Sequence, residues 1–198
     1  MFDLSCGIQL RAFRAPPAVD LDSIISLYNN TQVVPLITLL FPLKKEYQDV
    51  IAKDAEIFCM IETIPMPSSS INEGKKNSPE SRGLEPQFIG ITTLWGFKER
   101  RHRHSTYLIV MLPEFWNRGY GQHIMWFMVN HTFVHMNMHH ISLEVYEGND
   151  RAIVLYKKIG FIEEGRQRKA AWINGGWKDI IQMGILVEEW NEMQDSKI

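Results

Sequence analysis

The residues YLIVMLPEFWNRGYGQHIM, at positions 107–125, decide the fold because they join an apolar strand to an apolar helix through a turn with two glycines. The first N–H groups of a helix lack intrahelical partners and carry a partial positive charge. A phosphate can accept several of these donors, and Gly119 and Gly121 allow its close approach. The turn is ambiguous by itself, because an ordinary helix start has the same pattern. It matches neither the GxGxxG fingerprint nor the phosphate-binding P-loop.

Two side chains suited to proton transfer follow this turn. Glu144 lies between Leu143 and Val145, so in a strand it points to the opposite face from both. Partial burial would make it a base, whereas a solvated strand face would make it an ordinary surface residue. Tyr156 follows Asn149 by seven residues, which places both on one helix face. Its phenol suits protonation of a thiolate, but a core tyrosine fits the same position.

Periodicity predicts an α/β protein with a mixed, largely antiparallel central sheet flanked by helices. Alternating or apolar runs predict strands, and apolar positions at helical spacing between capping residues predict helices. The hairpin turn Ile173-Asn174-Gly175-Gly176 should join the last two strands. The predicted strands are 8–13, 56–62, 88–95, 105–112, 140–146, 161–169 and 177–186, and the predicted helices are 20–28, 43–52, 119–136 and 150–159, with short helical turns in 33–41.

The length and composition predict one domain over residues 1–198. Residues 65–86 are rich in Pro, Ser, Asn, Gly, Glu and Lys, which predicts a mobile insert. The polar tail after about residue 188 should fray.

The charge and the cysteines exclude several classes of protein. A net charge of -2 gives no general reason to bind nucleic acid, and the basic run 98–104 reads most simply as a solvated turn. Cys6 and Cys59 fit neither a disulfide framework nor a zinc site. His131 and His135 lack a carboxylate or cysteine to complete a metal site. No signal peptide or apolar run of about 18 residues is visible, so we expect a cytoplasmic protein without a membrane span.

The combined pattern resembles the GNAT (Gcn5-related) N-acetyltransferase superfamily. The resemblance rests on the strand ending at Met111-Leu112-Pro113, the Arg118-Gly119-Tyr120-Gly121 turn, Leu143-Glu144-Val145, and the run 149–161 with its Asn, Ala, Leu-Tyr and Gly-Phe. The Glu164-Gly165 pair and the 174–179 hairpin resemble the branch of ribosomal-protein N-terminal and spermidine acetyltransferases. Trp116 is a departure, since the turn in this family usually begins with Gln or Arg.

The resemblance implies acetyl-CoA as co-substrate and no metal. The pyrophosphate would bind backbone N–H groups of the turn, and the pantetheine would pair with the strand end in a cleft where two strands separate. The implied cofactor-binding residues are Met111, Leu112, Trp116, Asn117, Arg118, Gly119, Tyr120, Gly121, Gln122, Asn149 and Lys158.

The resemblance also implies catalytic roles for Glu144 as base and Tyr156 as acid. Acetyl would pass directly to a primary amine: a peptide N-terminus, a polyamine or a small-molecule amine. The alternatives are a non-catalytic acyl-CoA-binding module and, less favoured for lack of a P-loop lysine, a nucleotide-binding domain.

The acceptor pocket is expected from residues 31–41, the hairpin near Trp172–Trp177 and the insert. Aromatic lining there would mildly disfavour a highly cationic polyamine. The expected partner is the amine acceptor, without nucleic acid or membrane, and the protein should be a monomer or homodimer.

Overall fold

The computed structural model describes residues 1–14, 20–37, 55–64, 85–96 and 100–196, without the side chain of Arg100. The predicted helix 43–52, residues 38–41 and all of the predicted insert except its last two residues lie outside them. The strands are β1 Phe2–Leu4, β2 Ile8–Ala12, β3 Ile57–Thr63, β4 Phe88–Gly96, β5 His104–Met111, β6 His140–Tyr146, β7 Ile162–Ile173 and β8 Gly176–Leu186. The α-helices are α1 Asp20–Tyr28, α2 Tyr120–Val134, α3 Asp150–Ile159 and α4 Val187–Asp195, and single 3-10 turns occur at Val34–Leu36, Arg100–His102 and Pro113–Phe115.

The strands form one sheet in the order β1-β2-β3-β4-β5-β6-β8-β7. Within the described residues, the β5–β6 pairing is parallel and the other six pairings are antiparallel. This confirms the predicted mixed, largely antiparallel sheet.

The two central strands separate soon after they meet. The parallel pairing of β5 and β6 covers only three residue pairs, from His104↔His140 to Thr106↔Ser142. Beyond Thr106, β5 continues to pair with β4 as far as Met111, while β6 continues to pair with β8 as far as Tyr146. A wedge therefore opens between β5 and β6 towards their carboxyl ends.

Side-chain alternation gives the sheet two differently covered faces. On one face, Tyr107, Ile141 and Leu143 belong to a core that also includes Ile124 of α2 and Trp190 of α4. On the other face, buried residues of β3, β4 and β5 pack against α1, and this second cluster comprises Met60, Ile91, Val110, Ile24, Leu27, Val33 and Ile37.

Helix α1 is tied to the sheet by a buried ion-pair network. The Arg11 guanidinium donates to both carboxylate oxygens of Asp20, at 2.6 and 2.7 Å, and its Nε donates to Glu62 at 2.8 Å. Asp20 also accepts from the backbone N–H of Arg14 at 2.7 Å. These contacts, chiefly the Arg11 hydrogen bond, outweigh desolvation and hold the pKa of Asp20 below its ordinary value. The network positions the segment after α1, which reaches the wedge.

Helix α3 has the predicted bounds because capping residues define both of its ends. The side chain of Asn149 accepts from Ala152 N at the first turn, and Gly160 ends the helix with φ 113°. The left-handed backbone conformation at this position favours glycine.

The prediction that the tail after about residue 188 frays is wrong. Helix α4 occupies this region, its residue Trp190 is only 2% exposed, and the Glu189 carboxylate accepts from Leu186 N–H at 2.9 Å. The polar sequence obscured this helix because one large side chain provides most of its packing. Strand β1 was also missed, since three residues are too few to show a period.

Candidate active site

The turn before α2 has the backbone geometry of an anion site. Asn117 and Gly119 adopt left-handed conformations, with φ 58° and 81°. Turns of this kind direct successive N–H groups into one concavity, to which the helix N-terminus adds positive potential. Gln122 is an exception within the predicted cradle, because its N–H already donates to Gly119 O at 3.0 Å. The anion-binding donors are therefore expected just before it, at residues 117–121.

The wedge between β5 and β6 forms a cavity of about 410 Å³ that ends at this turn. Most of the predicted site residues line it together: Met111, Trp116, Asn117, Gly119, Tyr120, Gly121, Gln122, Glu144, Asn149, Tyr156 and Lys158. The structure thus brings the glycine turn, the candidate base Glu144 and the candidate acid Tyr156 to one cleft. Leu112 and Arg118 lie outside the lining.

The strand end provides one backbone donor to the cleft, not two. Leu112 N–H donates to Ile89 O at 2.8 Å, which continues the β4–β5 ladder. Because the direction of the backbone groups alternates along a strand, the N–H and C=O of Met111 point to the opposite edge, into the wedge. The N–H of Leu112, which the resemblance implies as a cofactor-binding residue, therefore belongs to the sheet and does not face the cleft.

Trp116 connects the strand end to the start of α3. Its indole N–H donates to Met111 O at 2.8 Å, and the Arg151 guanidinium carbon lies 3.5 Å from its ring centroid. This is a cation–π contact. Arg118, in contrast, lies over the ring of Phe115 at 5.5 Å. Of the two cations among the predicted cofactor-binding residues, Lys158 lines the cavity and Arg118 does not, and the lining also contains Arg151, which the sequence did not indicate.

Tyr156 is buried at the base of the cleft. Its side chain is 8% exposed and packs against Phe161, with ring centroids 6.2 Å apart. Burial raises the pKa of Tyr156 to about 12, because the phenolate loses its hydration. The hydroxyl is therefore protonated at neutral pH and is available as a proton donor.

Glu144 lies between two cavities. A second cavity of about 320 Å³ opens on the α1 face of the sheet, and its lining shares only Leu108 and Glu144 with the first. The carboxylate is exposed, as expected for a group at the meeting point of two open spaces.

Two stacked histidines form a wall of the second cavity. His104 and His140 have ring centroids 4.3 Å apart and an interplanar angle of 14°, and His104 Nε2 lies 2.7 Å from Ser142 Oγ. Burial, with the neighbouring His140 and His102, lowers the pKa of His104 to about 4. His104 is therefore a neutral polar group at neutral pH.

The segments predicted to form the acceptor pocket do not belong to the described lining of the second cavity. Val33, Leu36 and Ile37 line the first cavity, together with the glycine turn. Trp172 and Trp177 are absent from the described lining of both cavities; their rings meet edge to face, and the residues are 61% and 57% exposed. The hairpin tip is thus not part of either described pocket wall.

Sequence reasoning missed most of the second cavity, including His104, His140, Ser142, Glu164 and Gln182. They come from four strands, and only their position on one face unites them. One signal was available: residues two apart on a strand lie on the same face, so Ser142 and His140 share the face of Glu144. Within the described ranges, no cluster of His, Cys, Asp and Glu suits a metal ion, and no described helix is long and apolar enough to cross a membrane.

The fold and the cavities together show a split sheet in which one cavity ends at a glycine turn and a second pocket opens beside it. The model of the acetyltransferase (GNAT) family matches residues 80–161. A spermidine N-acetyltransferase from Vibrio cholerae, solved with CoA and spermine, matches with a TM-score of 0.72 at 24% identity, over 93% of this chain and 98% of that one. The chain thus shares the fold of that acetyltransferase, and its residues 80–161 match the GNAT family model.

Two curated relatives each match less than half of the chain. A spermidine N(1)-acetyltransferase of Vibrio cholerae is 32% identical over 89 residues, which are 45% of this chain and 51% of that protein. A putative ribosomal N-acetyltransferase of Bacillus subtilis is 25% identical over 63 residues, 32% of this chain and 34% of that protein. The match to the first of these relatives thus spans about half of its length.

Proposed function

We propose that this protein is an acetyl-CoA-dependent N-acetyltransferase that transfers acetyl directly to a primary amine. The observation that carries the proposal is the position of Glu144, in the wall between a donor cleft that contains Tyr156 and a second pocket. A base between donor and acceptor spaces and an acid on the donor side are what direct transfer requires.

The donor cleft suits acetyl-CoA by its charge and shape. Backbone N–H groups of residues 117–121 would bind the pyrophosphate, and Arg151 and Lys158 would supply positive charge. The inward-facing backbone of Met111 would pair with the pantetheine arm. Acetyl-CoA contributes the acetyl thioester; the chain contributes its binding and the proton transfers.

Glu144 would remove a proton from the acceptor ammonium, directly or through water, and the free amine would form the new N–C bond as the C–S bond breaks. The N–H of Met111 would stabilise the developing oxyanion. Tyr156 would give its proton to the departing thiolate, and the remaining proton lost by the acetylated nitrogen would restore the phenol. The burial that raises the pKa of Tyr156 would also raise that of the thiol, so the raised pKa of Tyr156 does not by itself make the transfer more uphill than in water.

The second candidate is an acyl-CoA-binding module without turnover. The test is acetyl transfer from acetyl-CoA to peptide N-termini, polyamines and small amines, followed by mass spectrometry of the acceptor. Acetylated product supports the enzyme; CoA binding without product on any acceptor supports the module. Absence of CoA binding would contradict both.

Two adjacent lysines of α3 provide a sharp test of the donor cleft. Lys158 lines the cleft and Lys157 does not. We expect Lys158→Ala to weaken CoA binding by up to about fivefold, since an exposed ion pair contributes up to about 1 kcal/mol. Titration calorimetry at low salt measures this.

Lys157→Ala is the matched control, because it removes the same charge one residue away. It should leave CoA affinity unchanged. Equal weakening in both variants would mean that net charge, and not a contact in the cleft, determines binding.

A further inference from the structure

The side chain of Trp116 contacts two groups to which the proposed function gives different tasks. Its indole N–H donates to Met111 O at 2.8 Å, and the Arg151 guanidinium carbon lies 3.5 Å from the centre of its ring. All three residues line the first cavity. One side chain therefore joins the strand end, where the thioester would lie, to a cation that would bind phosphate.

The strand end at Met111 is held on one edge by β4 and on the other by this indole. The Met111 carbonyl and the Leu112 N–H belong to one peptide unit, and the N–H donates to Ile89 O at 2.8 Å. No described strand pairs with Met111 on the side of the wedge, because the pairing of β5 with β6 ends at Thr106. The indole N–H therefore occupies the place that a neighbouring strand would have at the Met111 carbonyl.

The turn after β5 fixes where the indole lies. Pro113–Phe115 forms a single 3-10 turn, and Trp116 N–H closes it by donating to Pro113 O at 3.1 Å. The Trp116 side chain also packs against the buried cluster on the α1 face of the sheet. The residue is thus restrained through its backbone, its ring and its N–H together.

We propose that Trp116 is a positioning residue with two separable roles: its N–H holds the Met111 backbone in place for the oxyanion, and its ring holds the Arg151 guanidinium in the cleft. This rests on the proposed function, in which Met111 N–H stabilises the oxyanion and Arg151 supplies positive charge. The indole acts through these groups and not on the reacting atoms. Its N–H therefore contributes to kcat, and its ring contributes to the affinity for CoA.

Two substitutions separate the roles, because phenylalanine keeps a ring without the N–H and glutamine keeps an N–H donor without the ring. Trp116→Phe should lower kcat about tenfold, part of the roughly hundredfold loss that removal of an oxyanion donor causes, and should leave CoA affinity near that of the wild type. Trp116→Gln should keep kcat and weaken CoA binding about two- to fivefold, as expected for an exposed cation–π contact. Steady-state kinetics and calorimetry measure the two quantities.

The matched control is Trp126→Phe, which removes an indole N–H from α2. Trp126 is 42% exposed and is absent from the described lining of both cavities. It should keep wild-type kcat and CoA affinity.

Two results would overturn the inference. Loss of kcat and of affinity together in both Trp116 variants would mean that the residue only maintains the turn. Tighter CoA binding by Trp116→Phe would mean that the indole competes with the pantetheine for the Met111 carbonyl.

Hydrogen exchange of the Leu112 amide, followed by NMR, separates this inference from the proposed function. Because this N–H shares a peptide unit with the Met111 carbonyl, its exchange reports opening of the strand end. Trp116→Phe should speed the exchange about fivefold, as expected for the loss of one hydrogen bond, and Trp116→Gln should leave it unchanged. If no amine is acetylated but the exchange shows this difference, the positioning role at Met111 stands and the enzyme assignment fails. Equal exchange in the wild type and Trp116→Phe would overturn that role.

Discussion

Tyr156→Phe should lower kcat on the order of a hundredfold or more, with little change in the affinity for acetyl-CoA. The substitution removes only the hydroxyl, and the ring that packs against Phe161 remains. Because the phenol is protonated at neutral pH, the loss should be present across the neutral range. Steady-state kinetics together with CoA titration measure the two quantities separately.

Tyr28→Phe is the matched control for this substitution. Burial raises the pKa of Tyr28 to about 12 as well, but the residue lies on α1 and lines neither cavity. It should keep wild-type kcat. Unchanged turnover in Tyr156→Phe would refute the acid role, and equal loss in both variants would indicate a general effect on stability.

Glu144→Gln should lower kcat/KM by a similar factor, on the order of a hundredfold, for strongly basic amines. The amide has nearly the same shape but cannot take the ammonium proton. The loss should shrink as the assay pH rises or with a less basic acceptor such as glycinamide, because more of the amine is then already neutral. This dependence distinguishes a base from a residue that only binds the cation.

Glu147→Gln is the control, three residues further along the chain. Glu147 accepts from Asp179 N and lies outside both cavities. Its rate and its dependence on amine basicity should match the wild type. A loss in Glu144→Gln that stays constant at every pH would contradict the base role.

Local signals predicted much of the architecture. Helix α3 was predicted with its observed bounds, because Asn149 and Gly160 are residues whose preferences define helix ends without help from the rest of the fold. The same holds for the Ile173–Gly176 hairpin and for β6. The exceptions, β1 and α4, are short elements whose burial comes from partners distant in sequence.

The donor side of the site was predicted better than the acceptor side. The first cavity is built from elements that follow one another along the chain: the end of β5, the turn before α2, and α3 with Asn149 and Tyr156. Their order in the sequence therefore already suggests one cleft. Glu164 and Gln182, in contrast, join Glu144 only through the β6–β8 and β7–β8 registers. Glu144 and Gln182 are 182 − 144 = 38 residues apart in sequence, and the β7–β8 register shifts between Glu163 and Gly165, and no local pattern reports either feature.

The sequence by itself determined the element order, the glycine turn at the start of α2 and the capped helix with Tyr156, because these depend on backbone preferences of neighbouring residues. Only the tertiary structure decided which amide of the strand end faces the cleft and that Arg151 lines it beside Lys158. It also decided that Glu144 and Glu164 both belong to the described lining of the second pocket. Those properties depend on the edge to which each backbone N–H points, on where two strands separate, and on the face of the sheet that each side chain occupies. Packing across the whole sheet determines all three.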